Sequence, residues 1–318
     1  MAEQISSKRL HLISNAKSGK GAGGSIAEIA QRVCDENGWQ FINHEIPDHS
    51  QFDKIIDDTV AAALADGGTV AAAGGDGTIR AVAEKVQSKN ITFAAIPCGT
   101  FNFFARTHSI PQDHAQAFRV ALNGERRAVR LGEFNGHIFL VNASFGLYAK
   151  AIREREVNTK RWGRNQIVVI ISTVVSLLKG HRLMTIDLKA DGVPKRVQTS
   201  MVFIGNNSLQ LRDLSMNVAK CMKRDLLAVV MMKPLNIWQT FGLIFRGLRK
   251  ALHHDEALNN FCVDSLKITT KKREQTVALD GEIFKMTSPF QINALPEVLQ
   301  LMKPTEQQKL EALELDRT

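Results

Sequence analysis

The segment Thr69 to Arg80, TVAAAGGDGTIR, leaves a chain few ways to fold around it. Small and β-branched residues run straight into Gly74-Gly75-Asp76-Gly77-Thr78, and a helix-compatible stretch, Ile79 to Gln87, follows at once. That order reads as a buried strand, a turn that glycine makes easily, and a helix whose first backbone N–H groups lack intrahelical partners. A phosphate satisfies those donors. Glycine lets the backbone come close, the helix N-terminus favours negative charge, and Thr78 adds a hydroxyl donor. Asp76 is the odd member, because a carboxylate beside phosphates is repelled unless a metal ion or a reacting hydroxyl stands between them. Gly-Asp-Gly is also common in hairpins and surface turns, so the segment alone leaves that reading open.

Composition narrows the partners. A chain of 318 residues with 44% hydrophobic and 23% charged side chains has room for two globular domains, each with its own core. A net charge of +9 points to an anionic partner: nucleotide, nucleic acid or acidic lipid surface. With only 6% aromatic residues and basic residues dispersed along the chain, a base-stacking nucleic-acid platform is the weakest of these. Cys34, Cys98, Cys221 and Cys262 form no CxxC pair, so neither a disulfide framework nor a zinc site is expected, and a cytoplasmic location is. The first ten residues carry no apolar core of signal-peptide length, and the apolar run 167–178 is too short to span a bilayer. Any membrane contact is therefore expected to be peripheral.

Alternating periodicity gives the first half of the chain a βα rhythm. Strands are expected at Leu10 to Ile13, Trp39 to Glu45, Thr69 to Ala73 and Ile91 to Ile96, and helices at Ser25 to Cys34, Phe52 to Ala65, Ile79 to Gln87 and from Ala105 onward. This predicts an α/β domain with an open parallel sheet over 1–127, in which ligands sit beyond the carboxyl ends of the strands. Three loops then share one edge: Asn15-Ala16-Lys17-Ser18-Gly19, the glycine turn at Gly74, and Cys98-Gly99-Thr100-Phe101-Asn102. The first is not a Walker A loop, because Ser14 and Gly21 stand where that motif needs Gly and Ser or Thr. Over 128–295 the texture is mainly antiparallel β, with strands expected at Ala128 to Glu133, His137 to Asn142, Leu183 to Lys189, Val197 to Ile204, Leu226 to Met232, Leu266 to Thr270, Thr276 to Leu279 and Phe290 to Ile292. Two helical insertions interrupt it: an apolar one at 163–179 and a basic amphipathic one at 237–252, suited either to packing on a sheet or to an anionic membrane. The segment 296–318 is expected to return to the first domain.

Read together, Asn15-Ala16-Lys17-Ser18-Gly19, Gly74-Gly75-Asp76-Gly77-Thr78, Gly99-Thr100-x-Asn102 with Phe104-Ala105-Arg106, and Asp280-Gly281-Glu282 resemble the catalytic domain of the bacterial diacylglycerol kinase family, which includes sphingosine and ceramide kinases. The resemblance implies an ATP-dependent lipid kinase of lipid metabolism, with the nucleotide-binding α/β domain followed by a β-rich substrate domain. It assigns nucleotide binding to Asn15, Lys17, Ser18, Gly19, Gly74, Gly75, Gly77, Thr78, Gly99, Thr100 and Asn102. It makes Asp280 the candidate general base, Asp76 and Glu282 candidate catalytic and magnesium-binding carboxylates, and ATP with Mg2+ the cofactors. The implied partners are ATP, a lipid substrate and the inner face of an anionic membrane, with no nucleic acid. The oligomeric state stays open, a homodimer included.

The departures from the family pattern matter as much. Where relatives commonly have Asp after Gly-Thr-x-Asn, this chain has Phe103; where many have Asp in the Val129-Arg130-Leu131-Gly132 segment, it has Arg130. In some relatives those two carboxylates build a water and magnesium network beside the glycine loop. At Lys223-Arg224-Asp225 relatives often carry an Asp-Gly pair linked to a structural metal. Two other functions therefore stand beside lipid phosphorylation: a catalytically silent nucleotide-binding regulator, and a kinase of a non-lipid acceptor such as nicotinamide dinucleotide.

Overall fold

A computed structural model describes residues 8–15, 25–147, 149, 183–207, 221, 224–234 and 258–315. The chain divides into two units, residues 1–130 with 296–318, and residues 131–295.

In the first unit, strands β1 (Arg9–Asn15), β2 (Gln40–Ile46), β3 (Thr69–Gly74) and β4 (Thr92–Pro97) alternate with helices α1 (Ile26–Asn37), α2 (Phe52–Asp66) and α3 (Asp76–Val86). Helices α4 (Phe103–Thr107) and α5 (His114–Asn123) follow. The sheet runs in the order β2-β1-β3-β4, every pair parallel. The second half of β16 (Phe290–Lys303) joins β4 in parallel, with Gln300 opposite Thr92. Helix α1 packs with α5 and α2 with α3, and β3 and β4 are buried along their whole lengths. Small residues explain β3: Ala71, Ala72 and Ala73 are fully buried and let the helices approach closely. Local signals set the boundaries. Ser25 and Glu28 form a capping box on α1, Ser25 N donating to Glu28 Oε2 (2.7 Å) and Glu28 N to Ser25 Oγ (3.2 Å). Gly67, at φ 71°, ends α2 in the left-handed conformation that costs glycine least. The terminal helix α6 (Glu306–Leu315) touches α5 through Gln308 Nε2, which donates to the Arg119 carbonyl.

The second unit is antiparallel. One ladder has the order β12 (Leu258–Val263), β11 (Leu227–Met232), β10 (Met201–Gly205), β7 (Asn142–Gly146), β14 (Glu274–Leu279), β15 (Glu282–Thr287). The other joins the first half of β16 to β13 (Ser265–Thr270), β8 (Met184–Ala190) and β9 (Val193–Thr199). A hairpin of β5 (Glu125–Phe134) and β6 (His137–Phe139) turns at Asn135-Gly136, both at positive φ. Phe134, Phe145, Phe290, Ile186, Val202 and Val229 share a core to which both ladders contribute. The alternation of buried and exposed positions along β13 is the mark of a strand with one face in that core.

Several expectations need correcting. Val197 to Ile204 is two strands, because the chain leaves one ladder and enters the other at Ser200, where Thr199 Oγ1 donates to the Met232 carbonyl (2.8 Å). Strands β7, β12 and β15 were not expected, and α3 begins at Asp76 rather than Ile79. Cys221 and Cys262 are joined by a disulfide, against the expectation of none; Cys34 and Cys98 are free. The helices expected at 163–179 and 237–252 lie outside the described residues. Among the described residues no helix is long and apolar enough to cross a membrane.

Candidate functional site

Strands β1, β3 and β4 end level with one another, Ser14 opposite Ala73 and Gly74 opposite Pro97, so their loops leave one edge of the sheet. Asn15 is the last residue of β1; Lys17, Ser18 and Gly19 lie outside the described residues.

The loop after β3 closes tightly. A Cβ on Gly74 would fall 2.5 Å from Thr78 Cβ, so the Thr78 side chain folds back over a position that only glycine leaves clear. Gly75 is the N-cap of α3, extended at φ −79°, and supplies no side chain to its orphan N–H groups. The first intrahelical bond runs from Ile79 N to the Gly75 carbonyl (3.0 Å). The N-terminal turn made by Asp76, Gly77 and Thr78 thus presents its backbone donors without a side-chain cap, which is the arrangement an anion completes.

The loop after β4 is locked against it. Cys98 N donates to the Gly74 carbonyl (2.9 Å), and a Cβ on Gly99 would come within 2.8 Å of Gly75 Cα. Asn102 is buried and left-handed, at φ 49°, and its amide is spent inside the loop. Its Oδ1 accepts from Gly99 N (2.9 Å), while Nδ2 donates to the Gly99 carbonyl (3.0 Å) and to Gln112 Oε1 (2.9 Å). Gly99 and Thr100 are exposed. Asp76 ties the two loops together: Oδ2 accepts from Phe103 N and Oδ1 from Phe104 N, both at 3.1 Å, so the carboxylate holds the first turn of α4. Burial raises the Asp76 pKa above its ordinary value, and the two N–H bonds oppose that rise.

Phe103, the residue in place of a carboxylate, stacks on Phe101. Arg130 and Lys303 lie near His108, whose imidazole burial and those two charges push down to about 3. Among the described residues no cluster of three or more His, Cys, Asp or Glu side chains forms a metal cage.

In the second unit, Asp280 and Gly281 are the two residues of the turn between β14 and β15, at φ 50° and 93°. The Asp280 carboxylate accepts three backbone N–H bonds, from Leu140 (2.6 Å), Val141 (2.8 Å) and Asn142 (2.9 Å). It thereby fastens the connection between β6 and β7. Glu282 is exposed and pairs with Leu279 across the hairpin. Sequence reasoning did not find the partners of Asp76 and Asp280, because main-chain N–H groups leave no signature in residue types. The supporting role of Gln112 was equally silent; Phe103 was visible as a departure from the family pattern, but its stack on Phe101 was not.

The fold thus sets a parallel α/β sheet, with two interlocked glycine loops at its carboxyl edge, in a chain that continues into an antiparallel β unit. Residues 9–134 match the family model of the diacylglycerol kinase catalytic domain. The Pseudomonas aeruginosa protein named "Probable lipid kinase YegS-like" is 32% identical over 145 residues, 45% of this chain and 47% of that protein. The matched stretch thus spans about half the length of that relative. A Bacillus anthracis diacylglycerol kinase crystal structure superposes with a TM-score of 0.68 at 18% identity, over 93% of this chain and 97% of the other. The yeast NADH kinase complexed with NADH superposes at 0.50, with 10% identity, over 96% and 86%. At such identities the two structures establish likeness of fold.

Proposed function

We propose that this protein transfers the γ-phosphoryl group of ATP to a hydroxyl group of a lipid. The observation that carries the reading is the uncapped N-terminus of α3, held in contact with the Gly99 loop. Phosphoryl transfer asks a protein mainly for positioning and charge stabilisation, and main-chain donors on a rigid loop supply both. The backbone at Asp76, Gly77 and Thr78 takes phosphate oxygens, and Asn15, Lys17, Ser18, Gly19 and Thr100 complete the nucleotide contacts. Asp76 keeps the two loops in register, and Asp76 and Glu282 are the carboxylates that would meet a nucleotide-borne magnesium. That ion would neutralise charge on the transferring phosphates. Asp280, held rigidly by N–H donors, is the candidate acceptor of the proton from the lipid hydroxyl. The family of residues 9–134 and the named lipid kinase relative favour a lipid over a dinucleotide acceptor. A peripheral contact with an anionic bilayer, where such an acceptor resides, accords with the net charge of +9.

The test is transfer of radiolabelled phosphate from ATP into extracted membrane lipid, with Asp76→Ala as control. A labelled lipid that vanishes with the variant supports the kinase, and its mass identifies the acceptor. A second reading, the silent nucleotide binder, has its own support: both Asp76 oxygens are engaged by backbone donors, and Phe103 replaces a carboxylate. ATP bound by calorimetry without label in any lipid would favour that reading.

A further inference from the structure

Phe101 and Phe103 flank Asn102, and their rings lie parallel, 3° apart in plane and 5.5 Å between centroids. Phe101 is 45% exposed, and it is the aromatic side chain among the exposed large hydrophobic residues described. We propose that this stacked pair is the platform for the flat face of the ATP nucleobase, an inference that rests on the ATP site proposed above and gives it its base subsite.

Position argues first. The Phe103 N–H is bonded to Asp76, in the first turn of α3, and the Gly99 loop touches Gly75. The rings therefore project from a segment fixed directly to the candidate phosphate cradle, where the remainder of a bound nucleotide must also lie. Rigidity argues second. Asn102, between the rings, holds its left-handed backbone through bonds to Gly99 and Gln112, so the orientation of its neighbours is over-determined by the loop. Shape argues third. Offset parallel rings offer a planar π face, and stacking on such a face is tolerant of the base that uses it. Charge argues last: an uncharged ring at 103 adds no repulsion toward a triphosphate, where a carboxylate would need a cation between them.

The experiment is calorimetry on the full chain, titrating Mg-ATP and, separately, Mg-tripolyphosphate, which lacks the base. Wild type, Phe101→Ala, Phe103→Ala, the double alanine variant and Phe101→Trp are compared. The double variant is expected to bind ATP about tenfold more weakly while keeping its tripolyphosphate affinity, and Phe101→Trp to retain ATP binding. Unchanged tripolyphosphate binding also shows that the loops remain folded. Equal weakening toward both ligands would overturn the proposal, since the rings would then only brace the loop. So would unchanged ATP affinity, including the case in which binding to phosphatidylglycerol vesicles falls instead and the rings face lipid. A wild-type protein that binds neither ligand would remove the ATP site and its base subsite together; binding of both by wild type with no effect of the ring variants removes the base subsite alone.

Discussion

The Asp280 carboxylate has a structural role in its three backbone N–H bonds, and the function proposed above gives it a chemical one that can be tested separately. Leu140 and Val141 are buried, and the N–H of each ends on this side chain. Asp280→Ala strands both donors, at a cost of about 2–6 kcal/mol at one desolvation penalty each. A urea midpoint shifted by that amount is expected whatever happens to turnover; an unshifted midpoint would show that these bonds carry no net stability. Asp280→Asn keeps the oxygen but removes the anion, and turnover falling further than stability would isolate the proton-accepting role. His108 supplies a pH signature. Its pKa falls from 6.5 to about 3 through burial first and the nearby Lys303 and Arg130 charges next. The unfolded chain then binds a proton between those values that the folded chain refuses. Stability is full above the unfolded value and declines as pH drops toward the folded one, by the order of a few kcal/mol. His108→Gln should flatten that acid limb in urea titrations run at successive pH values, and an identical slope in both proteins would exclude His108 as its source.

At the scale of elements, the two N-termini of α1 and α3 make a controlled contrast. Helix α1 is closed by the Ser25 and Glu28 box, whereas α3 begins at Gly75 with no side-chain cap. Gly75 has an extended φ, and a Cβ there would meet Gly99 Cα at an ordinary 3.7 Å. Gly75→Ser therefore fits, and its hydroxyl can cap α3. The variant should gain a few tenths of a kcal/mol in stability and lose ATP affinity, because the hydroxyl competes for the donors a phosphate needs. Calorimetry with thermal unfolding reads both, and unimpaired ATP binding would move the phosphates away from α3. The same elements show what a sequence can carry. The βα rhythm and the glycine turn were legible because each is a local pattern in backbone preference. The start of α3 was misplaced because Asp76 and Gly77 are poor helix formers that suit a first turn. The break between β9 and β10 was invisible because a hydrophobic run does not say which sheet each half joins. Asp280 bonds Leu140 across 140 residues, and no periodicity reports such a contact.

For the molecule as a whole, the disulfide and the charge make separable predictions. Cys221 and Cys262 are 41 residues apart, a separation that leaves no local mark, which is why the pairing escaped the sequence. Unfolded without reductant, the protein should show two titratable thiols, Cys34 and Cys98, out of four cysteines; a count of four would mean that the bond does not form. Closing a loop of that length is worth about 4 kcal/mol on the chain-entropy model, so reductant should lower the unfolding midpoint of the second unit, which contains both cysteines. The net charge of +9 acts at longer range. If the acceptor lies in an anionic bilayer, attraction between that charge and the surface raises the local protein concentration there, and salt screens it over a Debye length of about 10 Å at 0.1 M. Co-sedimentation with phosphatidylglycerol vesicles should be strong at low ionic strength and fall steeply as salt rises, while phosphatidylcholine vesicles leave the protein in the supernatant. Equal binding to both lipids, insensitive to salt, would mean that an apolar surface and not the charge makes the contact. Binding to neither would leave the lipid acceptor to be reached as a dispersed monomer, and the proposed peripheral membrane contact would fall.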